Sequence, residues 1–178
     1  MLSAVVTLEA DPALPGQAPR QAAALRAVTR TLAALVGAVV DEVVADAFVV
    51  ARPGLDLRAI ESGMGCAVLL DADFGAALGT ALERARRPDI LLLQAGFAPG
   101  PGFADEVAVL LADGADTPAR CLRAPAATLL DRVAPARRTV GLVASRDALW
   151  SLPAPGPTLR DVARSLRAQP MRTAAVRL

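Results

Sequence analysis

Two short polar stretches each close an apolar run. Ala67–Leu70 ends in Asp71-Ala72-Asp73, and Ile90–Leu93 ends in Gln94-Ala95-Gly96. Paired carboxylates at the end of a buried strand can hold a divalent cation, and the cation can hold a diphosphate. Asp71 and Asp73 offer that pair. They have a second use, because an Asp just before the helical pattern "FGAALGTALERA" caps orphan N–H groups and favours the helix dipole. The spacing favours the cap, with metal ligation as the alternative.

The residue types that are absent narrow the chemistry. Histidine is absent and all 19 basic residues are Arg. Without imidazole there is no Ser-His-Asp triad and no His-bound metal. Without Lys there is no Schiff base and no phosphate-loop lysine. Asp, Glu, Arg, Ser, Thr and two Cys remain. Cys66 and Cys121 lie far apart, which is no metal signature, and they read as free thiols.

The chain of 178 residues suits one domain, and 54% of it is hydrophobic with only 3% aromatic, so the core is Ala, Val and Leu. Residues 1–119 carry 8 Arg against 15 acids, a net −7, while residues 120–178 carry 11 Arg against 3 acids, a net +8. The Arg-rich part is expected to pack back on the acidic part. Nucleic acid is not expected as a partner, because no aromatic residues interleave the arginines. The opening "MLSAVVTLEADP" has no basic region of a leader. The run "LAALVGAVV" stops at Asp41, about half of what a span needs, so no transmembrane segment is expected. These features lead to an expectation of a cytoplasmic protein.

The elements that must position the polar stretches follow from periodicity. "LSAVVTL" (residues 2–8), "AFVVA" (47–51), Cys66–Leu70 and Ile90–Leu93 read as buried strands. Helical spacing runs from Arg20 to about Val40, Leu57 to about Gly63, Gly75 to Arg87 and Phe103 to Ala112. Beyond Ala112, Thr139–Ala144 reads as a strand, Arg146–Leu152 and Thr158–Ala168 as helices, and Met171–Leu178 as a closing strand. Residues 121–130 read as strand or irregular. Alternation of strand and helix argues for an α/β fold with a mostly parallel sheet and helices on both faces. Ligands bind beyond the carboxyl ends of such strands. Those ends are Glu9–Pro12, Arg52–Asp56, Asp71–Gly75 and Gln94–Gly102.

Four stretches, "LSAVVTLEADP", "RTLAALVGAVVDEVVADAFVVA", "AIESGMGCAVLL" and "GAALGTALERARRPDILLLQAGFAPGPGF", resemble glycosyltransferase family 2. The resemblance covers roughly the first two thirds of the chain. It implies the nucleotide-diphospho-sugar transferase fold. It also implies a single domain over residues 1–178, with a nucleotide-binding-like half (1–112) and a variable Arg-rich half (113–178). In that family a metal-binding Asp-X-Asp follows the strand after the small-residue helix. Here that place is held by Gln94-Ala95-Gly96, which has no carboxylate. The family's second strand ends in an acid that contacts the nucleoside, and the nearest acid here is Asp56. The family's base lies near a late helix, whose echo is "TLRDVARSLR" with Asp161 as the candidate. The chain thus resembles a divergent member with degenerate catalytic motifs.

Two functions stand side by side. One is transfer of a glycosyl group from a nucleotide-sugar donor held by Glu9, Asp11, Asp56, Gln94 and Gly96. No cofactor is expected for it, and Mn²⁺ or Mg²⁺ enters only if Asp71 and Asp73 form the metal site. Without a metal, Arg137, Arg138 or Arg146 would clamp the diphosphate in its place. The other is a non-catalytic domain that binds a nucleoside diphosphate sugar or a protein partner. Nucleotidyl transfer on the same fold fits less well, since "LEADPALPGQAPRQ" has one Gly and no Lys.

Overall fold

The structure, a computed structural model, describes residues 1–8, 17–112, 118–126, 138–152 and 158–178. The first half alternates β1 (Leu2–Leu8), α1 (Gln17–Val40), β2 (Val44–Ala51), α2 (Arg58–Met64), β3 (Ala67–Leu70), α3 (Phe74–Arg84) and β4 (Asp89–Gln94). Next come β5 (Phe97–Pro99), α4 (Phe103–Ala112), β6 (Arg120–Arg123) and β7 (Thr139–Ser145). The chain finishes with α5 (Arg146–Trp150), α6 (Leu159–Ser165), β8 (Gln169–Pro170) and β9 (Ala175–Arg177).

Seven strands form one sheet in the order β3-β2-β1-β4-β7-β6-β8. The four early apolar runs are mutually parallel, as expected from strands without polar alternation. β7 runs antiparallel to β4 and to β6, with Leu93 opposite Gly141 and Asp89 opposite Ser145. β7 therefore starts at the carboxyl end of β4 and finishes at its amino end. β5 and β9 form a separate antiparallel ribbon.

Successive side chains of each strand feed opposite cores. Ala4, Val6, Leu91 and Leu93 pack under α1, α2 and α4. Val5, Ile90 and Leu92 pack under α3, α5 and α6. Val5, Val49 and Leu92 are fully buried as the pattern requires. Val68, expected in the core, is only half-buried, because β3 is the edge strand and pairs with β2 on one edge alone. Cys66 and Cys121 are free and buried, and burial pushes the Cys66 thiol up.

The helices stop where the backbone must leave αR. Gly65 takes φ 63 after α2, a left-handed cap that glycine enters without steric cost. α3 ends at Arg84, short of the expected Arg87. The closing strand does not extend the main sheet, as its three residues pair with β5 instead.

α1 differs from the reading of its sequence in one respect. The apolar run was too short for a span, yet the whole helix is long and apolar enough to cross a membrane by length and composition. It lies on the sheet, burying Ala24, Val28, Leu32 and Leu35.

The expected meeting of the C-terminal arginines with the acidic first part takes a different form. Glu106 of α4 accepts the backbone N–H groups of Arg172 and Thr173, both at 2.8 Å. The Arg164 guanidinium stays within its own helix on Asp161. Arg138 and Arg146 donate to backbone carbonyls.

Candidate functional site

The carboxyl ends of β2, β3 and β4 gather three of the loops singled out by sequence. Glu9 and Asp11, after β1, lie outside the described residues. At the end of β2 the turn is pinned to α1, where the Gln21 amide oxygen accepts from the Asp56 N–H at 3.0 Å and its NH₂ donates to the Asp56 carbonyl. The Asp56 carboxylate accepts from Arg58 at Nε (3.0 Å) and Nη2 (2.7 Å). These bonds hold its pKa down at about 2, so it is ionised at neutral pH.

At the end of β3, the two acids turn inward on the backbone. Asp71 Oδ1 accepts from the Asp73 N–H at 2.9 Å, and Asp73 Oδ1 accepts from the Gly75 N–H at 2.8 Å. Asp73 is thus the N-cap of α3. Among the described residues no group of three Cys, Asp or Glu gathers to hold a metal.

At the end of β4, Gln94 is half-buried and pairs in register with Thr7. Gly96 takes φ 91, outside the range that side-chain-bearing residues favour. Its N–H donates to Thr31 Oγ1 at 2.9 Å, and its carbonyl accepts from the Leu178 N–H at 2.9 Å. Both backbone groups of Gly96 are therefore in use, and the turn adds one neutral amide. That donor set lacks the carboxylates on which Mg²⁺ and Mn²⁺ sites are built.

The positive charge at this end comes from the next two strands. Arg138 immediately precedes β7, and its register past Gly141 carries it beyond Leu93 to the carboxyl end of β4. Arg123 closes β6 beside it, opposite Thr139. Arg138 Nη1 donates to the Ala124 carbonyl at 2.9 Å, and the Ala124 N–H returns to the Arg138 carbonyl at 2.8 Å. Among the described residues the Nε atoms of Arg120, Arg123 and Arg138 are buried without a hydrogen-bond partner; Arg120 lies opposite Val143, away from this end, and Arg123 and Arg138 lie at it. A buried donor left unpaired costs about 1–3 kcal/mol, which an acceptor brought to it would offset.

Arg146 does not join them. It sits at the amino end of β4, with its N–H on the Pro88 carbonyl and its Nη1 on the Ala85 carbonyl. Arg137 lies outside the described residues. Asp161 is occupied within α6, where its carboxylate accepts from Thr158 Oγ1 at 2.7 Å and from Arg164 at 3.0 Å. Sequence reasoning missed Arg123. Its signal was an Arg directly after the buried pair Cys121-Leu122, at a strand's exit.

No protein-family model matches the chain, and no curated protein matches it. Solved structures do. A protein of Bacillus anthracis assigned as a glucose-1-phosphate thymidylyltransferase, in complex with sucrose, superposes with a TM-score of 0.69 at 9% identity, covering 99% of this chain and 89% of that one. Glucosyl-3-phosphoglycerate synthase of Mycobacterium tuberculosis, in complex with Mn²⁺, UDP and glucosyl-3-phosphoglycerate, gives 0.61 at 18% identity, covering 99% and 72%. A nucleotidyl transferase of Methanothermobacter thermautotrophicus gives 0.54 at 18%, covering 96% and 88%. This chain has the nucleotide-diphospho-sugar transferase fold. At these identities the likeness is one of fold, and it spans both glycosyl and nucleotidyl transferases. Within the fold, the carboxyl ends of β1 to β4 are where the strand order reverses between β1 and β4, the place such sheets offer a ligand.

Proposed function

We propose that the chain binds a nucleoside diphosphate sugar at the carboxyl ends of β1 to β4, with Arg123 and Arg138 taking the diphosphate in place of a metal. The observation that carries this is the pair of buried, unpartnered Nε donors at that end of the sheet. A guanidinium offers parallel N–H groups matched to phosphate oxygens and stays charged at any working pH. Structural neighbours crystallised with UDP and with UDP-glucose support the choice of ligand. The turn that would hold a cation in glycosyltransferase family 2 has the wrong donors here, which supports a metal-free site.

If a glycosyl group is transferred, the bond from the anomeric carbon to the diphosphate breaks. The guanidinium pair then neutralises the leaving charge, and a carboxylate must take the acceptor's proton. Asp161 is already committed to Thr158 and Arg164. That observation favours a second reading, a domain that binds the nucleotide sugar without turning it over.

Calorimetry with UDP, GDP, dTDP and UDP-glucose, each with Mn²⁺ and with EDTA, tests the proposal. Binding should be indifferent to EDTA and should weaken roughly 10- to 100-fold in Arg123→Ala or Arg138→Ala, the loss of one charged hydrogen bond. Binding that requires Mn²⁺, or no binding at all, overturns it. Release of UDP from bound UDP-glucose separates transfer from binding alone.

A further inference from the structure

α1 shows a second face that the sheet does not use. Most of its apolar length is not buried. On the outer stripe, Arg26, Arg30, Ala33, Val36, Gly37 and Val40 recur at helical spacing, and all are exposed. Val36 is 55% and Val40 74% exposed. Valine is a mediocre helix former, so neither helix propensity nor the protein's own core calls for it there. A Cβ built on Gly37 meets nothing within 4 Å, so the surface is open.

Charge divides along this stripe. Arg26 and Arg30 occupy its amino half, and Asp41 and Glu42 lie just past its carboxyl end, both exposed. No acid lies within α1 itself.

We infer that α1 is the docking face for α1 of a second copy of this chain, antiparallel about a two-fold axis beside Val36. Setting Ala33 against Gly37 of the second copy sets Gly37 against its Ala33, as an isologous contact requires. Small residues at the crossing let the axes approach to about 8 Å, the close end of helix packing. The same alignment brings Arg30 level with the end of the facing helix and beside its Asp41, twice by symmetry. At the helical rotation of about 100° per residue, Arg30 and Asp41 fall on one flank and Val36 on the other. The two Val36 side chains therefore meet each other near the axis. Antiparallel helix dipoles add to the attraction.

The charge pattern selects this occupant over a membrane. A helix lying on anionic lipid carries basic residues beside its apolar face. Here the apolar half ends in Asp41 and Glu42, which an anionic surface repels and a facing Arg30 attracts.

The test uses the whole chain. Cys66 and Cys121 are buried, so an introduced surface thiol is read cleanly. Val36→Cys should form a self-disulfide dimer under mild oxidation, whereas Ala22→Cys, far from the axis, should not. Sedimentation of the parent should show a concentration-dependent dimer. Arg30→Asp and Asp41→Arg should each raise its dissociation constant at least ~10-fold by placing like charges together. The double variant should recover it. Far-UV circular dichroism confirms that each variant is folded. A parent that stays monomeric to about 100 μM, equal linking by Val36→Cys and Ala22→Cys, or no rescue in the double variant overturns the inference. So does flotation of a monomeric parent with phosphatidylserine vesicles.

Discussion

Thr31 and Gly96 hold the β4–β5 turn against α1. The Gly96 N–H donates to Thr31 Oγ1 at 2.9 Å, and that hydroxyl donates to the Phe97 carbonyl at 3.0 Å. Thr31 is fully buried. Thr31→Val keeps the shape and removes both bonds, leaving an N–H and a carbonyl without their partner. The expected loss is about 1–3 kcal/mol, read as a lower urea midpoint with an unchanged slope. A midpoint equal to the parent's would show that the turn is held by something else.

Gly100 and Gly79 should respond to alanine in opposite directions. A Cβ at Gly100 collides with the Ala174 carbonyl oxygen, the same atom that accepts the Gly100 N–H at 3.0 Å. Backbone on both sides cannot rotate away, so Gly100→Ala should cost about 1–3 kcal/mol. Gly79 lies inside α3 with nothing within 4 Å of a built Cβ. Gly79→Ala should gain about 0.5–1 kcal/mol from helix propensity. Denaturation of the two variants side by side checks the pair.

Glu106 makes the C-terminal segment sensitive to acid. Burial raises its pKa, but the N–H groups of Arg172 and Thr173 outweigh that and hold it below its ordinary 4.5. A depressed carboxylate contributes its full share above the unfolded pKa and loses it as pH falls through the folded one. Glu106→Gln should therefore melt a few degrees below the parent at pH 7, on the scale of about 1 kcal/mol. The gap should narrow as the pH falls below 4.5 and through the depressed folded-state pKa. Melting curves at neutral and acid pH decide it, and a gap that persists in acid would mean that the charge is not what matters.

Asp73 is expected to act as a cap and no more. Asp73→Ala should cost about 0.5–2 kcal/mol of stability and leave nucleotide affinity unchanged. Calorimetry with UDP checks the second half, and a large loss of affinity would return Asp71 and Asp73 to the site. Writing carboxylates onto the other turn, Gln94→Asp with Gly96→Asp, carries its own cost, because Gly96 stands at φ 91.

The central strands were legible because β1 and β4 are buried on both faces, so "AVV" and "ILLL" need no partner to be recognised. Phe97–Pro99 was not, because three residues ending in a proline carry no period, and their strand character comes from β9 far along the chain. The Asp71-Ala72-Asp73 cap was legible from the helix that follows it. The position of Arg123 was not, since it depends on β7 running backwards, which brings Arg138 and Arg123 to the same end. An apolar run gives strand content but not direction. The charge balance of the two halves was equally ambiguous, for Glu106 meets backbone N–H groups, which no count of arginines could indicate.

The Gly96 carbonyl, at the turn where β4 delivers its last residue, is satisfied by the N–H of Leu178. β1, β2 and β3 lie side by side in chain order, and β4 then crosses back to pair with β1. The Gly96–Leu178 contact needs a partner from later in the sequence still, the kind of high contact order closure that folds late. It also rests on a ribbon of two short strands, so it belongs among the regions that open first under native conditions. A ligand seated against that turn would slow amide exchange along β5 beside it and along β9, which lies far from the turn in the chain's order.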